Sequence, residues 1–433
     1  ILCLGRIGTR ELASANLGNL TVNVLGFSIH IGLISSLDTL ANQAIKSNSP
    51  KLTSIYTMRA FVVSCMVMPP MYIVLWNSQA IISSILPHAD PEMIRLAALY
   101  VKITSLGIPP LAAFECLRRY LASMALMRGP TMTYVVISPC SMFLTYWLTS
   151  TLGFIGAPLS VAITYWVLFF VLAIYTWLAA PRHAWAGVSM VIFKDLGINF
   201  RYGIAGVIST CSEWYSADTF IPISLGALYL GEVPQSVNAI ALTLSGVCWQ
   251  IPYAINQASA IRIGNLLGAN LPHKANRASQ AARYFALVVT GISAVAIQVF
   301  RNSLGHLFTK DLDVITMFDR MAYFVAIVSF FDGLQGACGG ILKGAGLPTT
   351  ASRINLLSYW IVGLPIGVVA TIKMQEVEGL YIGLSLAVFL AASLMLLKIS
   401  RCDWEERAED TQRRLDSSDA AAGLSNIVIV NEV

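Results

Sequence analysis

Charged residues are scarce in this chain. Asp, Glu, Lys and Arg make up 12% of its 433 residues, whereas hydrophobic residues make up 56%. A soluble domain typically has about 25% charged residues. The scarcity therefore excludes an ordinary soluble domain and indicates a membrane protein, an interpretation that the mean hydropathy of +0.68 supports.

Motifs for catalysis or cofactor binding are also missing. The glycine cluster GGILKGAG at 339–346 lacks the GxxxxGK[ST] spacing of a phosphate-binding loop, and no zincin, hydrolase-elbow or dinucleotide motif occurs elsewhere. We therefore expect a protein that is not an enzyme and has no cofactor or metal site. Six of the eight cysteines lie in apolar runs without metal-ligand spacing, which predicts small core residues. They are Cys65, Cys116, Cys140, Cys211, Cys248 and Cys338.

The apolar residues form separate runs of about 20, the length that crosses about 30 Å of hydrocarbon at about 1.5 Å per residue. The runs do not alternate with a period of two, which excludes a barrel. They predict an all-α, polytopic membrane bundle with eleven transmembrane helices in this chain. The first residues, ILCLGRIG, resemble the end of an earlier span and there is no initiator Met, so we expect twelve helices in the whole protein. The predicted spans are 12–36, 54–76, 95–125, 131–152, 155–180, 197–225, 234–260, 279–300, 314–342, 350–372 and 377–399.

Basic residues are concentrated in alternate connections between these spans. The positive-inside rule places the connections after residues 36, 125, 180, 260, 342 and 399 in the cytoplasm. The net charge of +5 follows this pattern, so it indicates membrane topology and not a nucleic-acid partner. The charged tail after residue 400 is then cytoplasmic, with a short helix predicted near 403–415 and disorder beyond it.

Short motifs of the first half recur in the second half in the same order. NSPK at 48–51 returns as NLPHK at 270–274, and LSVA at 159–162 returns as LSLA at 384–387. Nearly constant spacing suggests a duplicated six-span unit, as in many secondary transporters. We therefore predict an N-lobe over 1–180, a cytoplasmic linker over 181–196, a C-lobe over 197–400 and a tail over 401–433.

Five carboxylates lie within the predicted spans. A charge at the centre of a membrane helix costs about 2.5 to 3.5 kcal/mol, so such residues face a bundle interior or a watery cavity. Burial disfavours the charged form, and the same group can then hold either a proton or a cationic substrate, which is the basis of antiport. The five residues are Asp38, Glu115, Glu213, Asp218 and Asp332.

Ion pairing is the alternative role for these acids. Asp38 lies near Lys46, and Glu115 lies beside Arg118 and Arg119. Glu213 and Asp218 have no basic residue within two helical turns, and Lys343 is three turns from Asp332. We therefore favour Glu213, Asp218 and Asp332 as the functional acids.

The stretch CSEWYSADTF at 211–220 contains two of these acids. Five residues separate Glu213 from Asp218, which places them about 140° apart on an ideal helix. Pro222 removes the hydrogen bond to the carbonyl of Asp218 and predicts a kink there. We expect the bent helix to turn both acids toward one cavity.

Two aromatic residues, Trp214 and Tyr215, lie between these acids. Their rings can attract an organic cation with about 0.5 to 2 kcal/mol each. Packing against lipid or within the core is the alternative role.

Five motifs are spread along the chain: GRIGTRELASANLG (5–18), LDTLANQAIKS (37–47), SEWYSAD (212–218), AIRIGNLLGA (260–269) and GGILKGAGLPTTASRINLLSYWIVGLPIG (339–367). Together they resemble the multidrug and toxic compound extrusion (MATE) family, particularly its eukaryotic branch. The resemblance implies twelve helices in two lobes of six, related by a pseudo-twofold axis, that export organic cations or toxins against protons or sodium. Glu213 and Asp218 match two acids of the family's seventh helix, and Asp332 matches an acid before its GG-x-L-[RK]-G-[SA]-G stretch. Asp38, Gln43 and Glu115 are secondary candidates.

These observations lead to the hypothesis of a monomeric, multi-pass exporter of small organic cations or xenobiotics in the plasma or vacuolar membrane. Protons are the expected coupling ion, and sodium is the alternative. A lipid flippase of the same superfamily is the second hypothesis, but it needs a basic cavity for a phosphate headgroup. A third hypothesis is an inactive or scaffolding membrane protein.

Overall fold

The computed structural model describes residues 9–85, 90–187, 190–213, 232–309, 311–374, 376 and 378–423. The regular structure of these residues is helical and includes no strand. The chain divides into two compact units, the first made of 1–37, 49–207 and 418–433 and the second of 38–48 and 208–417.

The first unit contains most of the helices before residue 208. A π-helical turn at Asn23–Phe27 joins α1 to α2, and short 3₁₀ turns at Arg182–Ala184 and Met190–Phe193 precede α10. The helices are α1 (Thr9–Val22), α2 (Ser28–Ile34), α4 (Leu52–Trp76), α5 (Ser78–Ile85), α6 (Pro91–Ser105), α7 (Ile108–Ser123), α8 (Arg128–Leu152), α9 (Gly156–Ala179) and the larger part of α10 (Leu196–Glu213).

The second unit contains α3 (Leu37–Ala44), apart from its first residue, the end of α10 and all later helices up to residue 417. A π-helical segment at Leu356–Gly363 joins α14 to α15. The later helices are α11 (Glu232–Gly268), α12 (Pro272–Phe308), α13 (Leu312–Gly344), α14 (Pro348–Asn355), α15 (Leu364–Met374), α16 (Glu378–Ser400) and α17 (Trp404–Ala422).

Each predicted span is helical where the structure describes it, apart from short turns, so the all-α membrane fold is confirmed. Of the described helical segments, seven are long and apolar enough to cross a membrane, or eight if the bent pair α6 and α7 forms one span. The predicted span 95–125 coincides with this pair, and the chain bends by 45° between its two helices. Pro109 and Pro110 explain the break, since they lie in the first turn of α7, where missing N–H groups are tolerated.

The glycine-rich end of α13 allows close packing against α11. A Cβ atom on Gly340 would lie 2.7 Å from the Cα of Asn256, and one on Gly344 would lie 2.9 Å from the carbonyl oxygen of Ala260. The structure thus assigns this cluster to helix packing, as its spacing indicates. The Asn256 side chain adds a hydrogen bond from Nδ2 to the carbonyl of Gly336 at 2.5 Å.

Two expectations from the sequence need correction. Cys116 and Cys338 are buried, but Cys140 is exposed on α8, so it is not a core residue. The helix in the tail continues to Ala422, well beyond the predicted end at residue 415. Its start is capped by Asp403, whose Oδ1 accepts from the N–H groups of Glu405 and Glu406 at 3.0 and 3.2 Å. The predicted lobe boundaries stay a prediction.

Candidate functional site

Two of the three favoured acids line one cavity. Glu213 and Asp332 both face a hollow of about 340 Å³ whose lining residues all belong to the second unit. Its other lining residues are Leu242, Ser245, Gly246, Trp249, Val328, Tyr359, Tyr381, Leu384 and Val388. The remaining predicted residues of this site, Trp214, Tyr215, Asp218 and Pro222, lie outside the described residues.

Glu213 is the last described residue of α10, and two buried amides donate hydrogen bonds to it. Its Oε1 accepts from Asn355 Nδ2 at 2.6 Å and from Gln335 Nε2 at 3.1 Å. Asn355 Nδ2 also donates to Ser209 Oγ, at 2.8 Å, and Asn355 Oδ1 accepts from Gln335 Nε2 at 3.0 Å. Hydrogen bonds to a charged group are worth about 1.5 to 3 kcal/mol, so these amides orient the carboxylate and stabilise its charged form.

Asp332 lies on α13, three residues before Gln335 and on the same helical face. Tyr359 donates a hydrogen bond from its hydroxyl group to Asp332 Oδ1, at 3.4 Å. Tyr359 belongs to the π-helical segment that follows α14, and such widened turns frequently occur at functional sites. The α13 helix therefore links the surroundings of the two acids, with Asp332 at one position and the Glu213 partner Gln335 one turn later.

Aromatic rings supply much of the remaining lining. Trp249 comes from α11, Tyr359 from the π-helical segment and Tyr381 from α16. The hydroxyl group of Tyr381 donates to Asn238 Oδ1 at 3.0 Å. Two carboxylates and three aromatic residues around one hollow match the chemistry that binds an organic cation.

Five residues of this site were not predicted from the sequence. Gln335 and Asn355 are polar residues within apolar runs. Polar residues are scarce in such runs, and this scarcity is a signal that could have identified the two residues. The spacing of three residues between Asp332 and Gln335 is a second signal. Nothing in the sequence distinguishes Trp249, Tyr359 and Tyr381 from other aromatic residues of membrane helices.

The secondary candidates lie in other surroundings. Glu115 Oε2 forms ion pairs with Arg118 at 2.8 Å and with Arg119 at 2.7 Å, all on α7. Asp38 Oδ2 lies 3.5 Å from Lys343 Nζ, a cationic group that is distant in sequence.

Gln43 donates from Nε2 to the carbonyl of Gly344 at 2.8 Å. None of Asp38, Gln43 and Glu115 is among the described residues that line the cavity.

The replacement of Asn355 by Ala tests the role of the amides. We expect transport to fall about tenfold, because Glu213 loses its shortest described hydrogen bond and with it about 1.5 kcal/mol of stabilisation. Ser209→Ala removes only a group that orients Asn355, so its effect is expected to be about twofold. Transport rates in proteoliposomes measure both, and equal rates in Asn355→Ala and the unmodified protein would contradict the role.

Comparisons with known proteins place this arrangement in a family. The model of the family described as MatE matches residues 1–147 and 208–369, more than half of the chain. Protein DETOXIFICATION 12 of Arabidopsis thaliana is 30% identical over 422 residues, which cover 96% of this chain and 86% of that protein. Multidrug and toxin extrusion protein 2 of Pongo abelii is 28% identical over 433 residues, which cover 94% of this chain and 73% of that protein.

A solved structure of a MATE transporter has the same fold as this chain. The crystal structure of the eukaryotic MATE transporter AtDTX14 superposes with a TM-score of 0.90 at 25% identity. The superposition covers 96% of this chain and 93% of that chain. The motifs, the matched family model and the shared fold agree, and the chain belongs to the multidrug and toxic compound extrusion (MATE) family of transporters.

Proposed function

We propose that this transporter exports small organic cations in exchange for protons and that Glu213 and Asp332 form its central site. The single observation that carries the proposal is their common cavity, in which three aromatic residues complete the lining. The carboxylates supply negative charge, and the rings supply apolar surface with a negative face.

The cavity suits a ligand of this class in size and polarity. Its volume of about 340 Å³ lies within the range of about 300 to 1,000 Å³ that is usual for small-molecule sites. Each ring that contacts a cation adds about 0.5 to 2 kcal/mol. A flat aromatic cation can thus be held by ring contacts while its charge lies near a carboxylate.

Exchange follows from competition for the same oxygens. The amide groups of Asn355 and Gln335 stabilise the charged carboxylate of Glu213, which attracts the cationic substrate. A proton that binds Glu213 or Asp332 cancels the attraction and releases the substrate. The lower pH on one side of the membrane therefore supplies the direction of transport.

The sequence predictions complete the proposal. Asp218, Trp214 and Tyr215 are proposed to contribute to the same site, with Pro222 as the kink that turns them inward. We further propose that the protein works as a monomer of two six-helix lobes with a cytoplasmic C-terminus. The names of the relatives, which refer to detoxification and to multidrug and toxin extrusion, support a xenobiotic substrate.

The flippase hypothesis is less well supported. A site for a phosphate headgroup is expected to contain Arg or Lys side chains. Among the described residues that line the cavity, the charged ones are Glu213 and Asp332, and neither Arg nor Lys occurs.

The experiment uses the purified chain in proteoliposomes with an acidic interior. We expect ethidium to accumulate in these vesicles, because protons leave as the cation enters, and a protonophore should abolish the accumulation. Protein-free vesicles and vesicles without a pH gradient are the controls. Absence of gradient-driven accumulation would reject the exporter, and accumulation driven by a sodium gradient at equal pH would replace protons by sodium.

A further inference from the structure

Helix α13 ends with a C-terminal cap formed by Gly346 and Leu347. Gly346 adopts a φ of +80°, and its N–H donates to the carbonyl of Lys343 at 3.1 Å. The N–H of Leu347 donates to the carbonyl of Leu342 at 2.8 Å. This pair of bonds is the Schellman motif, which needs a left-handed residue and therefore favours glycine.

Side chains of α3 bind the carbonyl groups at this end. Thr39 Oγ1 donates to the carbonyl of Lys343 at 2.7 Å, and Gln43 Nε2 donates to that of Gly344 at 2.8 Å. Asp38 Oδ2 lies 3.5 Å from the Lys343 ammonium group. The last carbonyl groups of a helix lack partners in its regular hydrogen-bond pattern, and α3 supplies side-chain donors to two of them in addition to the cap.

Helix α11 ends in the same way, but α17 binds its carbonyl groups. Asn270, with a φ of 53°, takes the left-handed position, and its N–H donates to the carbonyl of Leu267 at 3.0 Å. Gln412 Nε2 then donates to the carbonyls of Leu267 and Gly268 at 3.0 and 3.1 Å. An amide side chain thus closes each helix end, Gln43 from α3 and Gln412 from α17.

The same helix α17 also contacts Gln43. Arg414 Nη2 donates to Gln43 Oε1, so both ends of this amide are engaged, one by α13 and the other by α17. Trp404 and Ala408 anchor α17 because they are buried in a cluster with side chains of α11, α13 and α16. We name the contacts of Gln412 with α11 and of Arg414 with Gln43 the α17 latch.

The latch contacts residues 38–48, which directly follow the point where the chain passes from the first unit to the second. Residues 9–37 cluster with the first unit, whereas residues 38–48 cluster with the second. The chain therefore leaves the first unit directly before Asp38. Residues 38–44 are the first helical residues after this transition, and Gln43 lies among them.

We propose that the α17 latch retains residues 38–48 on the second unit and that it must loosen for this segment to move during transport. The retained segment contributes three side chains to the end of α13, Asp38, Thr39 and Gln43. Arg414 binds Oε1 of Gln43 while the end of α13 binds its Nε2, so α17 restrains this segment in addition to α13.

The test measures amide hydrogen exchange of the full chain in nanodiscs by mass spectrometry. In Arg414→Ala, we expect peptides within 38–48 to exchange about tenfold faster, because a charge-assisted hydrogen bond that restrains them is lost. Gln412→Ala is the second variant, and it should accelerate exchange both in 38–48 and in α17. Peptides of α8 should be unchanged in both variants, which shows that each one is folded.

Arg413→Ala is the matched control. Arg413 is the neighbouring residue, its side chain is 75% exposed, and it pairs with Glu409 on the same helix. We expect no change in the exchange of 38–48 in this variant. The latch is rejected if Arg414→Ala leaves this exchange unchanged or if Arg413→Ala accelerates it equally.

A transport measurement tests the requirement for loosening, and this part alone rests on the proposed function. With α17 weakened in Arg414→Ala, the maximal rate of ethidium transport should rise about twofold, while KM stays unchanged because the cavity is intact. A maximal rate that is unchanged or lower, with exchange of 38–48 accelerated, would overturn the restraining role. A protein that does not transport ethidium at all would instead reject the proposed function and leave the exchange result decisive for the latch.

Discussion

Replacement of Glu213 by Gln is expected to lower proton-driven ethidium transport at least about 30-fold. The carboxylate lies in a cavity and accepts hydrogen bonds from two buried amides, and the loss of one partner of a desolvated charge pair costs about 2 kcal/mol or more. Gln keeps the size of the side chain but can neither attract the cation nor bind the proton. The measurement is the initial rate of accumulation in acid-loaded proteoliposomes.

Two further variants test whether the loss of transport in Glu213→Gln is due to the loss of a carboxylate from the cavity. Asp332→Asn removes the second carboxylate of the cavity and should produce a similar loss, whereas Ser245→Ala changes an uncharged lining residue and should retain at least about half of the rate. Ethidium binding without a pH gradient separates affinity from coupling. A Glu213→Gln protein with unmodified affinity and unmodified gradient-driven rates would remove this residue from the site.

The fold could be predicted largely because its dominant signal is local. Runs of about 20 apolar residues are sufficient to identify membrane helices, and each predicted span is helical where the structure describes it. Pro109 and Pro110 indicate a kink within the predicted span 95–125, but they do not show that α6 ends at Ser105 and α7 begins at Ile108. A proline pair permits either a kink or a new helix start, and only the packing of the rest of the chain decides between them.

The charged residues of the site could be predicted from the sequence, but their contacts with other residues could not. Charges within apolar spans are expensive, which drew attention to five acids, and the lack of nearby basic residues favoured Glu213, Asp218 and Asp332 among them. Of these three, Glu213 and Asp332 line one cavity. Their shared cavity and the amides of Gln335 and Asn355 depend on contacts across more than a hundred residues, which periodicity does not encode. The contact of Asp38 with Lys343 is similar, since 305 positions separate the two residues.

Replacement of Gly340 by Val is expected to lower the free energy of unfolding by about 3 kcal/mol or more. A Cβ atom at this position would lie 2.7 Å from both the Cα and the carbonyl carbon of Asn256, well inside contact distance for carbon atoms. The obstacle is the backbone of α11, which cannot rotate away as a side chain can. Thermal unfolding in detergent should show a melting temperature lower by about 3 °C or more.

Gly339 provides the matched control for this effect, because it is the preceding residue of the same helix. A Cβ atom there would meet only Asn256 Nδ2 at 3.6 Å, an ordinary contact distance. Gly339→Ala should therefore be neutral or stabilising by up to about 1 kcal/mol, since Ala favours the helix over Gly. Equal melting temperatures of Gly340→Val and the unmodified protein would show that α11 and α13 can separate at little cost.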